Sequence, residues 1–308
     1  MRVLITGIAG FLGQNLARAY IGKGWEVWGI DDLTVGNKDW LPGEVIFKQM
    51  DVSGPSVRPR GTFNLIIHLA SRKIPREGNS FQVLSENTRG ALNFVRYAHS
   101  TGAKLIYLST SDVYGKNTCW EETADLMVGP PDVMRWSYAI SKMWGEQLLF
   151  SVKEDLDFNI VRLFGSYGPY HALSWTAGPQ SVFISQALKQ EPMTIHGDGK
   201  QRRAFQYVDD AVDGIMRVAD ADLRGNVFNI GNPDEPISVD DLSRMIWEMI
   251  NPGKLRPARY VRPSSYKYED IPQRVPDITK ARTLLGFDPK VSLKEGLRRT
   301  IEWQKTVM

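Results

Sequence analysis

The chain has 308 residues but only one cysteine, Cys119, and only four histidines. A lone thiol excludes an intrachain disulfide framework and a cysteine-rich metal site. The histidines lie far apart, with no pair at ligand spacing, so no metal is expected. No apolar run approaches the roughly 18 residues needed to cross a bilayer, and no leader-like segment precedes the first strand-like run. No membrane contact is therefore expected, and a reducing, cytoplasmic setting is the default reading. An excess of charge of one sign is also missing. The 38 Lys+Arg face 35 Asp+Glu, a net of +3, and no long basic run occurs, so nucleic acid is not an expected partner. A local anionic ligand remains compatible with this balance. No internal repeat or low-complexity segment is found.

What is present is ordinary for a globular chain: 42% hydrophobic and 24% charged residues, enough for one large α/β domain with a smaller lobe. Short apolar runs rich in Val, Ile and Leu at 2–6, 26–30, 45–49, 64–69, 104–108 and 158–162 read as strands buried on both faces. Stretches of helical length and spacing at 11–23, 81–101 and 135–153 alternate with them. The alternation predicts an α/β, doubly wound parallel (Rossmann) sheet with a smaller C-terminal substrate-binding lobe. Between 53 and 63, Pro55, Pro59 and two glycines predict an irregular connection instead of a helix. Beyond residue 165 the spacing predicts helices at 181–190, 238–250 and 292–305, and a strand at 227–230 that returns to the sheet. The expected division is a dinucleotide-binding domain, 1–165 plus about 205–232, and a nucleotide-sugar-binding lobe, 166–204 and 233–308.

Directly after the first strand comes Thr6-Gly7-Ile8-Ala9-Gly10-Phe11-Leu12-Gly13. A bound pyrophosphate needs the N–H groups of a helix N-terminus and no side chains in the way. Gly7 suits the tight turn, Gly10 the close approach and Gly13 the helix–strand packing. The spacing is GxxGxxG, a weak signal alone, strengthened by the strand before it, the helix after it and Asp31 closing the second strand. A carboxylate there accepts bonds from an adenosine ribose and repels a 2′-phosphate, which predicts NAD over NADP.

Tyr138 and Lys142 stand four residues apart on a helical stretch, hence on one face. A neighbouring cation favours phenolate and is expected to lower the tyrosine pKa, so the phenol can take a proton from a sugar hydroxyl while hydride leaves the same carbon. Thr110, at the C-terminal end of the fifth strand, lies where open α/β sheets bind ligands, and Ser111 and Asp112 follow it. His68 sits in a buried strand pattern and reads as core. Cys119 has no partner base in sequence, and Trp247 and Trp303 fit amphipathic packing.

In combination, the GxxGxxG turn, His68-Leu69-Ala70, Asn87, the Thr110–Tyr138–Lys142 trio, Tyr167-Gly168-Pro169 and the 197–210 segment resemble the extended short-chain dehydrogenase/reductase family over nearly the whole chain. The resemblance implies NAD held by Gly7, Gly10, Phe11, Leu12, Gly13, Asp31, Asp51, Val52, Leu69, Ala70, Asn87, Tyr138 and Lys142. It also implies a nucleotide-sugar substrate, with Arg203 and Arg274 on the diphosphate or ribose, where the arginine fork suits anionic oxygens. A homodimer through the 81–101 and 135–153 helices is implied as well.

The outcome after oxidation at C4 depends on the neighbours. Thr110-Ser111-Asp112 is one methylene shorter than the Thr-Ser-Glu of UDP-glucuronate decarboxylases and lacks the Asp-Glu pair of 4,6-dehydratases. The stretch from Gly129-Pro130-Pro131 to Arg135-Trp136-Ser137-Tyr138 is similar to the decarboxylase half of the bifunctional polymyxin-resistance enzyme and to plant apiose/xylose synthases. So are Asn229-Ile230-Gly231-Asn232-Pro233 and the path from Ser264-Ser265-Tyr266 to Arg274-Val275-Pro276-Asp277. In those relatives the arginine matching Arg274 is a proposed proton donor. A UDP-glucuronate decarboxylase-like enzyme is therefore expected, using Thr110, Tyr138, Lys142, Ser111 and Asp112, with Arg72, Lys73 and Arg76 placed to grip a uronate carboxylate. A UDP-sugar 4-epimerase and a UDP-hexosamine or other NDP-hexose dehydratase are the alternatives, and a non-catalytic NAD or sugar-nucleotide sensor is the reading from a different class. Gly165 departs from the family, which usually carries Asn there.

Overall fold

The protein is described from a computed structural model covering residues 1–55, 57, 59, 61–73, 79–175, 177–261 and 271–308. Six strands arise from the short apolar runs: β1 (Arg2–Thr6), β2 (Glu26–Asp31), β3 (Ile46–Gln49), β4 (Leu65–His68), β5 (Lys104–Thr110) and β6 (Phe158–Leu163). A seventh, Asn226–Ile230, pairs with β6 as expected. The order is β3-β2-β1-β4-β5-β6-seventh, every neighbour parallel. Central β4 is buried at all four residues, whereas edge strand β3 is mostly exposed.

Burial on both sides forces successive residues of one strand into opposite layers. Val3 and Ile5 join one core with Leu16, Ala17, Val212 and Ile215, while Leu4 joins the other with Phe94, Val95, Ala98 and Leu149. Helices α1 (Phe11–Gly22), α2 (Ser80–Thr101) and α3 (Ser137–Phe150) supply those layers, and α3 is entered by a short 3-10 turn, Met134–Trp136. The described residues of 53–63 form no helix, in line with their proline content.

The C-terminal part contributes α4 (Pro179–Leu188), α5 (Val208–Asp220), α6 (Val239–Ile250), α7 (Thr279–Leu285) and α8 (Leu293–Val307). Neither α5 nor α7 was expected from the sequence. Yet α5 buries Val208, Ala211, Val212, Ile215, Val218 and Ala219, a helical spacing. It packs beside α1 and completes the helical layer on that face. A small sheet pairs Arg202–Arg203 with Gln273–Arg274, so Arg203 and Arg274 stand side by side in register. Among the described residues no helix is long and apolar enough to cross a membrane.

The last helix is locked onto the sheet side of the cleft. The Tyr167 hydroxyl donates to the Leu293 carbonyl at 3.0 Å, and Asp210 accepts the backbone N–H groups of Lys290 and Val291. Trp303 packs edge-on against Trp40, with ring centres 5.4 Å apart. Tyr167 fits only because residue 296 is glycine: a Cβ there would lie 2.2 Å from its hydroxyl. Gly296→Ala should therefore cost about 1–3 kcal/mol through overpacking. Thermal unfolding checks this, and a variant as stable as the parent would refute the packing account.

Candidate active site

Between β1 and β4 the strand order reverses, opening a crevice at the strand ends where ligands bind in open α/β sheets. One hydroxyl closes its floor. Thr6 Oγ1 accepts the N–H groups of Leu69 and Ala70 at 3.1 and 3.0 Å, and contacts His68 Nδ1 at 2.9 Å. With both amides donating to its oxygen, the Thr6 proton goes to His68. Burial keeps His68 neutral, its pKa pushed down to about 3, and its ring stacks near Phe94 and Tyr107 in the core.

Above this floor Gly7 turns at φ 70°, and a Cβ there would sit 2.9 Å from the Ala70 nitrogen. At Gly13 a Cβ would stand 2.4 Å from the Gly7 oxygen and from the Ile8 Cα. Helix α1 has Gly10 as its N-cap and no side chain capping it, which leaves first-turn N–H groups for an anion. Asp31 is 7% exposed; its carboxylate accepts Ala9 N–H at 3.0 Å and Leu33 N–H at 2.8 Å. Burial raises its pKa against those two bonds. Asp51 accepts from Ser53, a Cβ at Gly90 on α2 would lie 3.1 Å from Val52 Cγ2, and Asn87 ties Arg72 to Ser141 on α3. Leu12 is half-buried, and Phe11 stacks on His171 with ring centres 4.0 Å apart. A side-chain-free cradle with an uncapped helix end and a carboxylate closing β2 fits a dinucleotide.

Thr110 ends β5 and caps the turn Ser111–Tyr114 by accepting the Asp112 N–H at 3.2 Å. Tyr138, on α3, faces the hydroxyls of Thr110 and of Ser71, which follows β4. The strand ends thus bring together residues far apart in sequence. Lys142 lies one turn along α3 and donates to the Leu108 carbonyl at 2.8 Å. Burial pushes its pKa down to about 7. One expectation needs correction: the Tyr138 pKa is not lowered. Burial, then the Asp112 charge, raise it above its ordinary value, and bonds from Ser71 and Thr110 offset this only in part. The Lys142 ammonium is committed to Leu108 and stands 6.0 Å from the phenol ring centre, too far to overcome desolvation.

Beside this trio lies a charged cluster. Arg274 Nη2 meets Asp112 Oδ1 at 2.7 Å, and its Nη1 lies 3.5 Å from Ser111 Oγ. Burial raises the Asp112 pKa, but Arg274, Arg135 and Lys73 together outweigh it and pull the value down to about 2. Lys73 keeps solvent access along the cleft, yet desolvation lowers its pKa. Among the described residues Arg274 Nε is buried without a hydrogen-bond partner, an unmet donor at the edge of the cleft. Arg203 is placed next to Arg274 by strand pairing. Arg72 is directed elsewhere, its guanidinium held by Glu86 and by Asp32 at 3.2 Å. Arg76 and the Ser264-Ser265-Tyr266 stretch lie outside the described residues. Gly165 packs against Phe205, whose ring a Cβ would approach to 3.2 Å, and Cys119 is exposed.

Sequence reasoning passed over Ser71, Arg135 and His171. Ser71 directly follows the His68-Leu69-Ala70 segment, and Arg135 lies within the stretch already compared with decarboxylases. Nothing local marks His171.

Fold and site together define a dinucleotide-dependent enzyme of the short-chain dehydrogenase type. The chain belongs to the NAD dependent epimerase/dehydratase family, whose profile matches residues 3–231, and its cofactor is NAD. It is 32% identical over 317 residues to the UDP-N-acetyl-alpha-D-glucosaminuronate decarboxylase of Bacillus cytotoxicus, covering 99% of this chain and 98% of that protein. It is 34% identical to UDP-glucuronic acid decarboxylase 4 of Arabidopsis thaliana, covering 96% of this chain and 67% of that protein. Among solved structures, UDP-glucose 4-epimerase of Thermotoga maritima aligns over both whole chains with a TM-score of 0.86 and 29% identity. The UDP-glucuronic acid 4-epimerase of Bacillus cereus, in complex with UDP-glucuronic acid and NAD, does so at 0.85 and 27%.

The depressed Asp112 pKa has a stability consequence. Its folded value of about 2 lies below the unfolded value of about 3.9. Its ionisation thus stabilises the fold above about pH 4, and that contribution is lost as pH falls through about 2. Asp112→Asn should cost roughly 2 kcal/mol at neutral pH, and the gap to the parent should close toward about pH 2. Unfolding curves against pH check this; a gap independent of pH would contradict it.

Proposed function

We propose that the chain is an NAD-dependent decarboxylase of a UDP-linked uronate, of the UDP-glucuronate decarboxylase type. The observation that carries this is the Asp112–Arg274 pair with Ser111, set directly beside Thr110 and Tyr138. Bound NAD would supply the hydride acceptor for C4 of the sugar. Tyr138 removes the O4 proton and Thr110 holds the same oxygen. Lys142 carries the positive charge beside them and would hold the nicotinamide ribose. The resulting 4-keto uronate is a β-keto acid, which loses CO2 readily because the electrons of the breaking bond pass into the carbonyl. Such a reaction asks for a carboxylate site and a proton donor at C5. Lys73 supplies charge for the carboxylate, and Arg274, with an unmet N–H, is the group that assists loss of CO2 and reprotonation. Asp112 orients Arg274.

Under this reading residues 1–165 plus about 205–232 bind NAD, and 166–204 with 233–308 bind the nucleotide sugar, Arg203 on its diphosphate. Arg72 reaches a substrate carboxylate only by leaving Asp32 and Glu86, and Arg76 belongs to the same proposed loop. A homodimer through α2 and α3 is part of the proposal, supported by exposed Phe81, Ile140 and Trp144 (74, 37 and 40% exposed) on those helices. So is a cytoplasmic setting, which fits one exposed thiol.

Incubation with UDP-glucuronate and with UDP-N-acetylglucosaminuronate, followed by mass spectrometry, should show loss of CO2 from at least one. An unchanged mass with an altered C4 configuration identifies an epimerase, and loss of water a dehydratase; either sinks the decarboxylase. Tyr138→Phe should lower kcat by about a hundredfold or more while NAD binding persists. A fully active variant would contradict the assigned base.

A further inference from the structure

Beneath the catalytic helix lies a buried ion pair that the mechanism above does not use. Glu146 and Arg162 are 4% and 5% exposed. Arg162 Nη2 meets Glu146 Oε2 at 2.7 Å and its Nε meets Oε1 at 3.1 Å. Ser109 Oγ donates to the same Oε1. This arrangement follows from register: Ser109 on β5 and Arg162 on β6 are direct neighbours across the strands, so both reach toward α3 from the same face of the sheet.

Along α3, Tyr138, Lys142 and Glu146 recur every four residues and form one stripe. Lys142 holds the Leu108 carbonyl and Glu146 holds the Ser109 hydroxyl. The helix therefore grips two successive β5 residues, and the next is Thr110. We infer that Glu146, clamped by Arg162 and Ser109, is a positioning residue that keeps the Lys142 ammonium charged and α3 in register with Thr110.

Stability alone does not explain the pair, since buried ion pairs are often replaced by apolar residues at no loss. Its charge has a target. Burial pulls Lys142 down to about 7, and Glu146 is the charge that pushes back. The other groups facing Lys142 are Tyr138 on its own helix, Tyr107 on β5 with its ring 5.0 Å from the ammonium and neutral His68 on β4, while Arg162 on β6 meets Glu146. Asp112 acts on the neighbouring Tyr138. None of the neutral groups can replace a carboxylate.

Two variants of the full chain test this. Glu146→Gln keeps the shape and the bond to Ser109. The double variant Glu146→Gln with Arg162→Met removes both charges and leaves no unpaired cation in the core. The readouts are the pH dependence of NAD affinity by calorimetry, with no sugar present, and the split between kcat and KM. In both variants the alkaline limb of NAD affinity and of kcat should move at least about one pH unit lower. At mildly alkaline pH kcat should fall about tenfold for such a shift, with KM nearly unchanged. The kcat readout rests on the proposed decarboxylase, but the NAD titration does not, so the two can fail separately. A parental pH limb in either variant overturns the inference. Failure of the double variant to fold also overturns it, because the pair would then serve the fold alone.

Discussion

The crevice between β1 and β4 exists because a parallel sheet must send its crossovers to opposite faces where the strand order reverses. One hydroxyl, that of Thr6, holds the two strand ends together there. It satisfies two backbone N–H groups and gives its proton to His68. Glycine can then stand where any side chain would strike Ala70 or Ile8. Everything catalytic follows from this point: Ser71 continues from β4 toward Tyr138, and Asn87 fastens the same loop to α3. Loosening the tie would displace the cradle and the base at once.

Desolvation sets the electrostatics of the rest. The same burial raises Tyr138, lowers Lys142 and neutralises His68, so none of the three sits at its solution value. Asp112 escapes the direction that burial dictates for it: three cations converge on its carboxylate and pull its pKa down against desolvation. Such a site is poised for charge to arrive with its ligands. A cationic cofactor ring would favour the phenolate of Tyr138, and a uronate carboxylate would meet Lys73 and Arg274.

Much of this was legible beforehand. The six runs that became β1 to β6 are mostly apolar, as double-sided burial demands of all but the exposed edge strand β3, and the returning strand near residue 227 carried the same mark. The glycine spacing and the Thr110, Tyr138 and Lys142 positions followed from local chemistry placed on strand ends and a helix face. Helix α5 was hidden although its periodicity is strong, because its first turn overlaps a motif that reads as a binding segment. The direction of Arg72 was hidden for another reason: Asp32 and Glu86 compete for it from segments distant in sequence.

By itself, then, the sequence determined the fold class, the glycine cradle and the positions of Thr110, Tyr138 and Lys142, the residues proposed to act at C4. These depend on periodicity, on missing side chains and on spacing along single elements, all of which are local. Only the tertiary structure decided how those residues are charged and what surrounds them: Ser71 on the phenol, Arg274 on Asp112, and Glu146 clamped between Arg162 and Ser109. Such pairings cross from strand to strand and from lobe to lobe. Their strength depends on how much water the folded chain removes, which no local pattern records.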